Sequence, residues 1–268
     1  IEAVGFDADS TALRFGEGVQ GDEISNTGQI VARTEIGFDE STDGVNDAAY
    51  ATGRAVALHL AEGSELRRIL NEQGDIFAFT QRGAAPSAGA TAILIESDTV
   101  EELVNTGVIS ATFFGSAPGD LEDDRGVERI AVDASARTEG LVIRQTQALD
   151  DDGEPVEQTP EITGDILFGA GDDLLDLQAG SLTGSVAFGD GADRLIINGA
   201  EITGSITDSD ADLVIDVTTT DATLAAAEAV IGQLRYENAS ENPTWAGDAE
   251  ERFVRVTVDD GGNTGSAV

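Results

Sequence analysis

The chain contains no lysine, no cysteine and no methionine, and it has a single histidine. Its 14 basic residues, all arginine, stand against 52 acidic ones, for a formal net charge of −38 over 268 residues. Without cysteine there is no disulfide framework and no cysteine-ligated zinc. So lopsided a charge excludes nucleic acid and anionic membrane surfaces as partners, since both would repel the chain. It favours solubility and cations as counter-ions. No stretch approaches the roughly 18 consecutive apolar residues of a membrane helix, so no membrane insertion is expected of this segment. With His59 alone, a Ser–His dyad would need that residue as its base. His59 lies in the strand-like run Ala55–Leu60, where a surface role suits it better. The missing initial methionine, and a pattern already under way at Ile1, lead us to expect a segment of a longer protein.

What is present points one way. Hydrophobic residues make up 40%, too many for disorder by composition, while aromatics are only 5% and glycines number 32. That mixture suits many short strands joined by tight turns.

Repeats organise the chain. Ile162-Thr-Gly-Asp-Ile-Leu-Phe-Gly169 is followed by Leu182-Thr-Gly-Ser-Val-Ala-Phe-Gly189 and then Ile202-Thr-Gly-Ser-Ile206, each 20 residues after the last. A second run follows in each unit: Asp173–Leu177, Asp193–Ile197 and Asp212–Val217. The spacing predicts two short strands per unit, with Ile162, Gly164, Ile166 and Phe168 on one face. One unit cannot bury that face alone, whereas stacked units form a continuous core. Upstream the repeat is looser. Ile24-Ser-Asn-Thr-Gly-Gln-Ile-Val-Ala32 matches Leu103-Val-Asn-Thr-Gly-Val-Ile-Ser-Ala111, and Leu70 to Ala78 has the same pattern with one extra residue. Asn-Thr-Gly reads first as a turn; an asparagine at equivalent corners would also stack into a hydrogen-bonded ladder. Acidic or Gly/Ala-rich insertions at 38–51, 83–90, 115–126 and 150–160 are expected to leave the stack as loops, where binding would most plausibly sit.

Beyond about Val217 the character changes. Thr223 to Leu234 has helix-forming alanines with apolar residues near helical spacing, so one short helix is expected there. Phe253 to Val258 reads as a strand, ended by the turn Asp259-Asp-Gly-Gly262. Trp245 and Tyr236 read as packing residues in preference to a carbohydrate platform.

On Asn26-Thr-Gly-Gln-Ile30, Asn105-Thr-Gly-Val-Ile109, Ile162 to Asp173 and Phe188-Gly-Asp-Gly-Ala-Asp193, residues 1 to about 217 resemble the β-helical passenger segments of alphaproteobacterial autotransporters. The resemblance implies an all-β fold, a right-handed parallel β-helix of about 20-residue coils, displayed outside a Gram-negative cell. On Leu234-Arg-Tyr236, Asn242-Pro-Thr244 and Val256 to Asn263, residues from about 218 resemble part of a cadherin-like, immunoglobulin-type module of bacterial adhesins.

Gly169-Ala-Gly-Asp-Asp-Leu-Leu175 and Gly189-Asp-Gly-Ala-Asp-Arg-Leu195 resemble single copies of the calcium-binding nonapeptide of repeat-in-toxin proteins. Stacked, Asp172, Asp173, Asp190, Asp193, Asp208, Asp210 and Asp212 would crowd one edge and repel one another without cations. The expectation is calcium at that edge; the plain alternative is solvated turn aspartates. Asp150-Asp-Asp-Gly153 and Asp259-Asp260 are weaker candidates. The function expected is a non-catalytic, extracellular structural or adhesive segment, with other copies of surface proteins or extracellular glycans as partners. The alternatives are a carbohydrate-active lyase or hydrolase using carboxylates, and a self-assembling surface-layer lattice protein.

Overall fold

A computed structural model of the chain describes residues 1–6, 8–35, 53–81, 89–114, 128–198, 201–203, 206–207, 214–217, 257–259 and 264–266. The chain divides into two units, Ile1–Val217 and Thr218–Val268.

The first unit is a parallel β-helix of seven coils. Coil 1 comprises β1 (Glu2–Phe6), β2 (Ser10–Phe15) and β3 (Gln20–Asn26); coil 2, β4 (Gln29–Glu35), β5 (Arg54–Leu60) and β6 (Glu65–Asn71). Coil 3 has β7 (Asp75–Gln81), β8 (Gly89–Ile95) and β9 (Glu102–Asn105); coil 4, β10 (Val108–Phe114), β11 (Glu128–Asp133) and β12 (Val142–Gln145). Coil 5 has β13 (Glu161–Thr163), β14 (Asp165–Leu167) and β15 (Leu174–Leu177); coil 6, β16 (Ser181–Thr183), β17 (Val186–Ala187) and β18 (Arg194–Ile197). Coil 7 has β19 (Glu201–Thr203), β20 (Ile206–Thr207) and β21 (Val214–Val217). The first strands of all coils form sheet A, the second sheet B and the third sheet C, each seven-stranded. Every neighbour within these sheets is parallel.

Each coil therefore has three strands, where the sequence pattern predicted two. The reason is Gly164 and Gly184, at φ 118° and 151°. Each bends one apolar run across a corner, so that Ile162 sits in sheet A and Ile166 in sheet B while both stay fully buried. A Cβ on Gly184 would stand 2.2 Å from the Gly164 carbonyl oxygen, so the backbones of successive coils leave no room for a side chain there.

The 20-residue period holds only for the last coils, where Glu161 pairs Ser181 and Ser181 pairs Glu201. Upstream, Glu2 pairs Val31, Gln29 pairs Asp75, Asp75 pairs Val108 and Val108 pairs Glu161, steps of 29, 46, 33 and 53 residues. The strands keep their stacking, and the extra residues go into connections. Those connections contain the predicted insertions; the second ends two residues early, since β8 starts at Gly89.

Inside, aliphatic columns run the length of the stack. Ile30, Ile76, Ile109, Ile162 and Leu182 line sheet A; Ile69, Leu103, Ile143, Leu175 and Leu195 line sheet C. Sheet B departs from strict alternation. Ala57 and Leu58 are adjacent and both fully buried, as are Ala92–Ile93 and Ala131–Val132. The phase shift at each small alanine is what turns His59 outward.

In the second unit, β22 (Thr257–Asp259) pairs antiparallel with β23 (Thr264–Ser266); of the predicted turn Asp259-Asp-Gly-Gly262, Asp259 is the last residue of β22 and the rest lies outside the described residues. The helix expected over Thr223 to Leu234, together with Trp245 and Tyr236, lies outside the described residues.

Candidate functional site

Polar side chains with chemistry to offer gather at the corners, and most are turned inward. At the corner from sheet C to sheet A, the Asn-Thr-Gly segments do two jobs at once. Oδ1 of Asn26 and of Asn105 accepts the N–H of the glycine two residues on, closing the turn. The amides also form a ladder: Asn26 Nδ2 donates to Asn71 Oδ1 at 2.8 Å, Asn71 to Asn105 at 2.9 Å, and Asn105 to Gln145 Oε1 at 3.1 Å. Gln145 ends it by donating to the carbonyls of Ala179 and Ser181. The extra residue in the Leu70 to Ala78 repeat is absorbed by Gln73, which adopts φ 55°.

At the corner from sheet B to sheet C, Arg137 is 2% exposed. Its guanidinium donates to the carbonyls of Ser97 and Val100 in coil 3 and of Glu139 and Gly140 in its own coil. The same corner holds the aspartates of the glycine-rich motifs. Asp173, 3% exposed, accepts the Leu141 N–H at 2.7 Å, and Asp193, 1% exposed, accepts the Asp173 N–H at 2.8 Å. Asp172 is exposed and accepts the Ala192 N–H at 3.0 Å; Asp190 is also exposed. At the other corner of coil 5, from sheet A to sheet B, Asp165 accepts the Ser185 N–H at 2.7 Å. These carboxylates thus bond amides of neighbouring coils that the corners would otherwise leave open. Asp208, Asp210 and Asp212 lie outside the described residues. Among the described residues, no three His, Cys, Asp or Glu side chains converge as a metal site would need. In the Asp150-Asp-Asp-Gly153 turn, Asp150 Oδ1 accepts the N–H groups of Asp152 and Glu154, which closes an exposed turn.

Burial drives the charge states at this corner. Asp173 is pushed up to about 6, first by desolvation and then by the Asp193 and Asp172 charges, against the Leu141 hydrogen bond and Arg137. Asp98 moves the opposite way: the Thr138 N–H bond chiefly, with the Thr138 hydroxyl, the Glu139 N–H and Arg137, holds it below the usual carboxylate range. Outside it lies an open cleft of about 750 Å³ bordered by Gln20, Glu65, Arg67, Asp98 and Glu101. There Arg67 grips both carboxylate oxygens of Glu101, at 2.8 and 2.9 Å.

On the outer face of sheet C, charges alternate down the stack. Arg68 reaches Glu23 at 3.4 Å and Glu102 at 3.0 Å; Arg144 reaches Glu102 at 2.5 Å and Asp176 at 3.1 Å. On sheet B, His59 sits between Arg14 Nε, which donates to Nδ1 at 3.3 Å, and Glu96, 2.8 Å from Nε2. With Nδ1 accepting, Nε2 carries the proton and donates to Glu96. Both ring nitrogens are thereby engaged, and neither is left to activate a hydroxyl.

The corner from sheet A to sheet B is the one that carries insertions on successive coils. The connections between β4 and β5, β7 and β8, and β10 and β11 all leave from it. Just beyond the last of these, the corner narrows to Gly164 and Gly184, and a cleft of about 500 Å³ forms between Thr112, Arg129, Thr163 and Asp165.

Comparison with protein-family models, with curated proteins and with solved structures found no match. Sequence reading missed Arg137, Gln145 and the sheet C charge ladder. Gln145 carried a usable signal, an amide at the corner position that Asn26, Asn71 and Asn105 occupy. Arg137 carried none, being one arginine in a polar turn.

Proposed function

We propose that residues 1–217 form a non-catalytic structural and display segment of an extracellular bacterial surface protein, holding binding loops along one edge of a stiff stack. One observation carries this reading. The amides, the buried aspartates and the arginines that would equip a catalytic site are engaged in bonds between coils, while three consecutive coils have their long insertions in the connection from the sheet A strand to the sheet B strand. A scaffold that spends its polar groups on itself and carries insertions of unequal length on one edge suits display or adhesion. The partners this supports are extracellular glycans or further copies of surface proteins, engaged through the insertions.

The test uses the full chain and a variant with segments 36–52, 82–88 and 115–127 each replaced by a short glycine-rich turn. Particles coated with each are applied to a glycan array and to the immobilised chain. Expected is binding by the full chain that the variant loses, with melting of the stack retained. Release of reducing ends or unsaturated sugars from a panel of acidic and neutral polysaccharides, at turnover above a blank, would overturn the non-catalytic reading.

A further inference from the structure

We propose that the outer face of sheet A in coils 2 to 6, running from the Phe77–Phe79 pair to the cleft beside Gly164 and Gly184, binds a neutral polysaccharide chain. The inference rests on the glycan partner of the reading above, and gives that partner a place and a chemistry.

Alternation along β7 puts two rings on the surface. Ile76, Ala78 and Thr80 are fully buried, whereas Phe77 and Phe79 between them face outward and stay partly exposed. The ring centroids lie 5.6 Å apart, with the planes tilted by 40°. Register surrounds the pair with Val31 and Arg33 from coil 2 and with Ser110 and Thr112 from coil 4. Two adjacent rings beside Val31 on the solvent side of a sheet make an apolar patch, where a lone surface hydrophobe would need no account. Ser110 then stacks on Thr163, and Thr163 on Thr183. None of these residues is acidic, in a chain with 52 carboxylate side chains. From Thr112 the face continues into the open cleft of about 500 Å³, which Thr163 and Thr183 also border and which Gly164 and Gly184 line with backbone alone. Small-ligand sites span roughly 300–1,000 Å³.

The chemistry of this face selects the ligand. A pyranose ring carries C–H bonds on its faces and hydroxyls around its rim. The C–H bonds match the electron-rich faces of Phe77 and Phe79. The rim matches Thr112, Thr163 and Thr183, whose hydroxyls both donate and accept. Thr163 donates to Glu161 Oε1 at 2.6 Å, which leaves its own oxygen to accept. Charge decides among glycans. A net charge of −38 repels an acidic polysaccharide, and a cationic one would be drawn to carboxylates all over the surface. A neutral chain has only apolar and hydroxyl contacts to choose by, and this face supplies both.

The experiment uses the full chain, a Phe77→Thr/Phe79→Thr variant and the variant lacking the three insertions. Threonine suits an outward strand position, and a urea melt checks that the stack is kept. Affinity electrophoresis measures binding to a β-glucan, a xylan, a mannan and polygalacturonate, at low and high salt. Expected is binding to at least one neutral polysaccharide, equal at both salt concentrations, with none to polygalacturonate. The double-threonine variant should bind about ten-fold more weakly or worse. Binding by that variant equal to the parent's would overturn the proposal, as would binding to polygalacturonate alone or to no polysaccharide. Self-association that the double-threonine variant loses, with no polysaccharide bound, would overturn it in favour of a contact between copies. The insertion-lacking variant tests the loop role separately: parent-like binding by it, with loss in the double-threonine variant, would leave recognition to the sheet face and remove it from the insertions. Should the double-threonine variant not fold, NMR of the parent with an oligosaccharide of the bound polysaccharide decides. Signals of Phe77, Phe79 and Thr112 should shift, and shifts confined to other residues would overturn the proposal.

Discussion

Asn71 Nδ2 donates to Asn105 Oδ1 across 2.9 Å at a point where both side chains are fully buried. Neither amide can fall back on water, so the bond is worth most through what its loss would expose. Asn71→Ala removes the middle rung, leaving Asn26 Nδ2 only its 3.3 Å bond to the Asp75 carbonyl and Asn105 Oδ1 only the Gly107 N–H. The expected cost is about 2–4 kcal/mol in denaturant unfolding. Asn26→Ala, at the end of the ladder and 8% exposed, should cost less. Equal losses from the two would mean that the ladder does not act as a unit.

Arg137 binds coil 3 to coil 4 through the carbonyls of Ser97, Val100, Glu139 and Gly140. Arg137→Met should destabilise the chain by about 3 kcal/mol or more, with Arg137→Lys recovering only part, because an ammonium cannot match the fork of a guanidinium. Thermal and urea melts of both variants check this. Full recovery by lysine would reduce the role to charge alone.

Phe168 and Phe188 stack in the last short coils, with ring centroids 5.0 Å apart and planes 5° from parallel. Phe188→Ala opens a cavity and loses the ring contact, at an expected cost of about 3–5 kcal/mol. Phe188→Leu should recover most of the burial. Limited proteolysis should then show the alanine variant cut first in coils 5 to 7.

The sheet C charge ladder predicts a weak but salt-sensitive contribution. Its members are partly exposed apart from Asp176, so a double-mutant cycle on Arg144 and Asp176 should give a coupling of about 1 kcal/mol, reduced at high salt. A coupling unchanged between low and high salt would show that the pair is held by packing.

Calcium removal separates two duties for the glycine-rich motifs. Asp173 and Asp193 already bond backbone amides from inside the coil. The expectation is that excess chelator leaves the stability of coils 4 to 6 unchanged, read by hydrogen exchange. A loss of protection at Leu141 on adding chelator would return these aspartates to metal binding.

The fold class was legible because period-two burial and a 20-residue echo are both local signals. Ile162, Leu182 and Ile202 announce one column by spacing alone, and Gly164 and Gly184 mark its corner. The third strand was less legible. A glycine within an apolar alternation looks the same whether the chain runs straight or turns, and only its φ and the approach of the coil below distinguish them. The phase shift at Ala57–Leu58 was hidden for a similar reason, since alanine is compatible with either face.

The site was legible in residue type and illegible in direction. Asn26, Asn71 and Asn105 could be read as turn residues, and they are; that they also bond one another needs the unequal coils to bring them into register. The aspartates of the Gly-Asp motifs could be read as one edge of the stack. Whether a carboxylate at a corner faces water or the interior depends on a rotation of one residue, which burial of its neighbours decides. Asp172 went out and Asp173 went in.

Sequence by itself determined the repeating unit, the strand-rich class and the acidic surface, because each follows from composition and short-range spacing. Tertiary structure decided which polar groups meet. Coils of unequal length put residues far apart in the chain into contact, and a parallel stack joins like positions of successive coils whatever lies between them. The Asn ladder, the four carbonyls around Arg137 and the pairing of Asp173 with Asp193 all come from that stacking.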